Sequence, residues 1–139
     1  MAEKKSVFTP EEKAAMRAAA AEAKKAGNAA AMKADCLAAI KKMAPADREM
    51  AEAVHNLVTK VAPQLEPKTW YGMPAYALNG KTIVFFQDSG KFKARYSTLG
   101  FSEHAKLDDG TFWPTSFALI KLDSKTKRVL TDLVIRAVA

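Results

Sequence analysis

A single cysteine, Cys36, stands among the 139 residues. No internal disulfide framework can therefore staple the fold, and a reducing compartment suits the chain. No apolar run approaches the ~20 residues a membrane helix needs, so no membrane association is expected. The opening MAEKKSVFTPEEK has no apolar h-region, which argues against a secretory leader and points to a cytoplasmic protein. Gly-x-Ser-x-Gly, Walker and Rossmann patterns are missing, leaving hydrolase, nucleotide and dinucleotide chemistry without support. Histidine is scarce, at 2 residues, and no nucleophile–base pair is evident. An enzyme therefore ranks below a binding protein. Acidic residues are outnumbered 15 to 22 by basic ones, a net charge of +7. That excess attracts polyanions through its long-range field. The charges are nevertheless spread and interleaved, which serves solubility equally well.

What the chain does have is alanine at the front and aromatics in the middle. Thr9-Pro10-Glu11-Glu12 is a helix start: a cap, a proline at the first helical position and a capping-box carboxylate. The helix runs to about Ala26 and ends at Gly27-Asn28. Its apolar face is mostly alanine plus Met16, so it buries little and should dock weakly or stand free. Residues 1–30 read as an N-terminal helical arm and 31–139 as one domain. A second helix is expected from Asp35 to Met43, capped by Asp35. A third runs from Ala46 to Ala62, with Met50, Val54, Leu57, Val58 and Val61 at helical spacing. Pro63 stops it.

Strands follow. Thr69–Met73 and Ala75–Leu78 are broken by Pro74, which suggests a bend or an edge. Asn79-Gly80 is a two-residue hairpin turn. Lys81–Gln87 reads as a central strand. Lys91–Leu99 alternates, with Lys91, Lys93 and Arg95 on one face. Asp108-Asp109-Gly110 marks a turn, Phe117–Leu122 a further strand, and Asp123 or Ser124 caps a last helix with Val129, Leu130, Leu133, Val134 and Val138 inward. Helices, an antiparallel meander and a helix make an α+β domain, the sheet packed against helices.

Few residues offer chemistry. His55 lies beside an apolar helix stripe and has no partner at ligand spacing. Glu103, His104, Asp108 and Asp109 offer N and O donors suited to a divalent metal, although Asp108 and Asp109 also suit a turn bonded to its own backbone. Cys36 has no basic neighbour to lower its pKa. Lys91, Lys93 and Arg95 on one strand are spaced to meet phosphates ~7 Å apart, and a solvated sheet face gives the same pattern. The aromatics exceed what a small core needs, so some are expected to line a groove with polar ends.

Trp70-Tyr71-Gly72-Met73-Pro74-Ala75-Tyr76 opens a series of motifs. Gly80-Lys81, Val84-Phe85-Phe86, Arg95-Tyr96-Ser97-Thr98-Leu99-Gly100-Phe101, Leu107-Asp108-Asp109-Gly110 and Trp113-Pro114-Thr115-Ser116-Phe117-Ala118-Leu119 continue it. Together, from about Pro45 onward, they resemble the YdhG-like family of small bacterial proteins, a domain of unknown function. The resemblance implies a frataxin-like fold, and for some relatives a role as iron chaperones. In frataxins clustered carboxylates on a helix and sheet edge hold the metal. This chain departs from that pattern: Asp47, Glu49 and Glu52 share their helix with Arg48 and Lys60, and no carboxylate ridge is visible. If iron binds, Glu103, His104, Asp108 and Asp109 are the nearest donors.

The expected function is a small binding domain, taking a small ligand or a protein partner, as monomer or homodimer. Its groove is expected around Trp70, Tyr71, Met73, Tyr76, Tyr96 and Trp113, with Lys81 and Arg95 as polar anchors, and iron is the one cofactor the resemblance implies. The alternative is a nucleic-acid or polyanion binder using Lys91, Lys93, Arg95 and the Lys-rich arm.

Overall fold

The computed structural model describes residues 7–139, so the Lys-rich start of the arm lies outside the described residues. Four helices, α1 (Pro10–Lys24), α2 (Ala29–Lys41), α3 (Pro45–Val61) and α4 (Ser124–Ala137), accompany five strands. The strands β1 (Glu66–Trp70), β2 (Met73–Leu78), β3 (Lys81–Gln87), β4 (Ser97–Phe101) and β5 (Ser116–Leu119) form one antiparallel sheet in chain order. The architecture is α+β with a meander sheet, as the sequence suggests. Among the described residues no helix is long and apolar enough to cross a membrane.

Turn chemistry sets the hairpins. Asn79 (φ 52°) and Gly80 (φ 80°) form the expected turn with positive φ at both positions. Tyr71 (φ 52°) and Gly72 (φ 81°) do the same. The chain therefore turns between β1 and β2, within the expected strand Thr69–Met73. Pro74 pairs with Thr69 of β1, and the β2–β3 register begins at Ala75↔Phe85. Its missing N–H thus lies past the end of that ladder. A register shift between Tyr76 and Ala77 leaves Ile83 as the extra residue of a β-bulge on β3.

Alternation gives the sheet two distinct faces. Tyr76, Val84 and Phe101 stand in register across β2, β3 and β4, next to Phe86 and Leu99. This face meets the helices. Val54 and Val58 of α3, Cys36 and Ile40 of α2, and Leu130 and Val134 of α4 complete the buried core. On the other face Ala75, Phe85, Gly100 and Ser116 are in register. The Phe85 ring lies across Gly100, where an added Cβ would come within 2.2 Å of it. Trp70 packs on Phe85 at 5.0 Å and Tyr71 on Trp70 at 5.1 Å.

Several expected boundaries move, each for a local reason. α2 begins at Ala29 because the Asn28 side chain accepts from the Ala31 N–H and the alanines that follow are the best helix formers. Asp35 caps nothing and pairs with Lys25 at 2.8 Å. The expected strand Lys91–Leu99 begins only at Ser97. Before it the backbone bonds to itself, with Ala94 N–H donating to Ser89 O and Lys93 at φ 53°. β5 stops at Leu119 with Ile120 70% exposed, and Val129 of α4 faces solvent. α1 lies along β1. Its capping box at Thr9 and Glu12 is formed as expected, Ala15 is buried, and Glu11 meets Lys93 at 3.3 Å.

Candidate functional site

The aromatic groove expected from the sequence does not assemble as one site. Tyr76 and Met73 are buried in the protein's own packing. Trp70 and Tyr71 stack over Phe85 and line a separate groove beneath α1, with Tyr71 exposed. Arg95 sits over the Tyr96 ring at 5.3 Å in the β3–β4 connection. Lys81 is exposed at the start of β3, and Trp113 packs against the core from the β4–β5 connection, at the far edge of the sheet. Phe85 and Trp70 pack on each other over part of the face expected to hold a ligand.

A groove opens elsewhere, where α1 and α2 pass over the ends of the sheet. It encloses about 780 Å³. Alanines wall it: Ala18 and Ala21 from α1, Ala38 and Ala39 from α2. Small side chains at these positions leave the space between the helices and the sheet unfilled. The charged groups on its lining are Glu22, Asp35, Lys42, Asp88 and Lys91. None of its lining residues is a histidine.

Glu22 is the best-defined of these groups. Its two carboxylate oxygens accept from the Tyr71 N–H at 2.9 Å and the Gly72 N–H at 2.8 Å. The Lys91 ammonium lies against Gly72, 2.6 Å from where a Cβ would stand. Asp88 is 6% exposed, and its Oδ2 accepts from the Lys91 N–H at 3.1 Å. Burial pushes its carboxyl up from the ordinary value, and the nearby Asp47 adds to that. Asp47 itself accepts from the Ser89 hydroxyl at 2.9 Å and the Gly90 N–H at 3.0 Å. The start of α3 thereby pins the loop after β3.

A second polar cluster is internal. The Tyr76 hydroxyl, fully buried, is hydrogen-bonded to His55 Nδ1 at 2.9 Å. Cys36 lies on its other side. Burial pushes the Cys36 thiol up to about 11, so at neutral pH it is a thiol and a poor nucleophile. Burial, with Lys33 nearby, holds His55 below its ordinary value, so it is neutral there. Burial raises Tyr76 well above its own, the neighbouring thiol adding to it. All three are uncharged at neutral pH, which is a structural arrangement.

The metal donors do not converge. His104 Nε2 is 3.7 Å from Glu103 Oε1, with Glu103 exposed. Asp108 and Asp109 are exposed on the turn that Gly110 closes at φ 70°. Among the described residues no group of three His, Cys, Asp or Glu side chains is placed to hold a metal ion. The reason is local: the Ser102 hydroxyl donates to Thr82 O and accepts from the His104 N–H, which folds residues 102–105 into a tight turn. The basic trio does not share a strand face either. Lys91 is at the groove and 5.4 Å from the Phe92 ring, Lys93 is paired with Glu11, and Arg95 covers Tyr96.

Glu22, Lys42 and Asp88 were not singled out by sequence reasoning. Glu22 had one visible signal: with Glu11, Ala15 and Ala18 it falls at helical spacing, so two carboxylates bracket an alanine face. No family model matches the chain, and no curated protein or solved structure matches it.

Proposed function

We propose that this chain is a non-enzymatic binding domain that takes a small ligand in the groove between α1, α2 and the ends of the sheet. One observation carries the reading. The groove has the volume of a ligand site, an alanine wall that leaves it unfilled, and a few charged groups at fixed positions. No base, nucleophile and partner are grouped there, which favours binding over catalysis.

The motif series places the chain, on this proposal, in the YdhG-like family with its frataxin-like fold. In support, Trp70-Tyr71-Gly72-Met73 is the first hairpin turn and Gly100 the seat of the Phe85 ring. Iron delivery rests on that resemblance alone, since the named donors stand apart. Polyanion binding keeps only the net charge of +7 in its favour.

Ala38→Phe tests the groove. Ala38 is exposed on α2 and lines the groove, so a ring there fills it without touching the core. Compounds from a small-fragment library that raise the melting temperature of the wild type should lose that effect in the variant, whose own melting temperature stays within a few degrees. Binding that survives Ala38→Phe unchanged, or no binder at millimolar concentration, overturns the proposal.

A further inference from the structure

We infer that the turn between β1 and β2, with Lys91, is a receptor for a phosphoryl group, and that Glu22 fills it from within the chain as a built-in competitor. The inference deepens the proposed function and rests on it, because the receptor lies on the wall of the same groove.

The backbone makes the receptor. Two successive residues with positive φ, Tyr71 and Gly72, turn their N–H groups away from the ladder and toward one point. Such donors need an acceptor or water. Here both take the same carboxylate, at 2.9 and 2.8 Å, which is how a bidentate oxyanion is held. The other turn of this kind, Asn79-Gly80, has positive φ at both positions and an open position at Gly80, where an added Cβ meets nothing within 4 Å, and among the described residues no carboxylate accepts from its N–H groups. The turn type therefore does not require a carboxylate. The one at Tyr71-Gly72 is an occupant.

The ammonium sets the ligand class. Lys91 Nζ lies against Gly72 on the same side of the turn, yet no ion pair joins it to Glu22 among the described residues. Glu22 turns one oxygen to each backbone N–H, and its planar carboxylate reaches the ammonium less readily than a tetrahedral group would. A tetrahedral phosphoryl group has a further oxygen for Lys91 after meeting both N–H groups. It also carries more charge than a carboxylate, which strengthens each bond. Lys42 lines the same groove and forms no ion pair among the described residues, adding positive charge beyond the receptor. The groove volume then accommodates the rest of a phosphorylated small molecule.

Competition follows. Glu22 is tethered on α1, and α1 holds to the sheet through little more than this contact, Ala15 and the Glu11–Lys93 pair. A phosphoryl ligand displaces the carboxylate and frees the second half of α1. Ligand binding and release of the helix are two readouts of one event.

The test is titration of full-length protein with inorganic phosphate, following the Tyr71 and Gly72 amides by NMR. Glu22→Gln keeps helix and size but loses the charge, and should bind phosphate at least ten-fold tighter than wild type, with both amides shifting. Acetate should bind the variant more weakly than phosphate. Adding Lys91→Gln should weaken phosphate at least ten-fold while acetate changes less. Glu22→Asp, too short to reach the turn, is the second variant should the first lose its fold. Amides that stay still in both Glu22 variants, or affinities equal to wild type, overturn the inference. If neutral fragments still bind in the groove and are lost with Ala38→Phe, the broader reading stands while this one falls. If neither phosphate nor fragments bind, both fall.

Discussion

At Gly100 one hydrogen atom decides whether the outer face of the sheet packs. The Phe85 ring occupies the space of a side chain there, and Trp70 leans on that ring in turn. Gly100→Ala should destabilise the protein by about 1–3 kcal/mol, the usual cost of overpacking, measured by urea denaturation. In a Phe85→Leu background the penalty should shrink, because the clashing ring is gone. His55 gives a residue-scale pH effect. Its folded-state value lies below the ordinary 6.5, through burial first and then Lys33, so the unfolded chain takes up the proton more readily. Stability is complete above that ordinary value and declines as pH falls below it, until His55 is protonated in the fold as well. Denaturation midpoints of the wild type should fall as pH drops below about 6.5, and His55→Gln should flatten that slope. Asp88 has the opposite sign. Its raised value means that its contribution is fully present below the ordinary 3.8 and is lost as pH rises through the folded value. Asp88→Asn should therefore gain stability, relative to wild type, at pH 7 compared with pH 4.

Among the elements, α1 is held least. Its face toward the sheet is alanine, so burial contributes little and caps and single polar contacts decide its population. Thr9→Ala removes a capping-box hydroxyl and should cost about 1 kcal/mol of helix stability. Hydrogen exchange should show α1 amides losing protection by roughly five-fold, with the β3 amides unchanged. The Thr9 cap, α3 to within a residue at either end and β3 were readable because each depends on neighbours within a few residues. β3, Lys81 to Gln87, falls where the alternation and the Asn79-Gly80 turn put it. The stretch 91–96 was not readable, because its alternation is real while its backbone is claimed by Asp88, Ser89 and Gly90, supported from α3 by Asp47. The groove was still less legible. Glu22 and Gly72, 50 residues apart in the chain, are brought together by tertiary contacts, and no spacing rule links them.

On the scale of the whole molecule, charge and shape point in different directions. The net charge of +7 gives a general attraction to polyanions, but Lys91, Lys93 and Arg95 are turned to different partners. A single-stranded oligonucleotide should therefore bind weakly at low salt, with a logarithmic salt slope of about −2 or shallower, equivalent to three or fewer phosphates. Fluorescence anisotropy across a salt series measures it, and a steeper slope would restore a nucleic-acid interface. The meander has a consequence of its own. Since β1 to β5 neighbour one another in the order in which they are written, no ladder waits for a distant stretch of chain, and loop-closing entropy stays small. A ribosome extruding this polypeptide would release each strand just after its partner, and the sheet would be able to zip progressively. α4, which follows the sheet in the chain, would then seal its side of the core, so that Leu130 and Val134 leave water after the strands have paired.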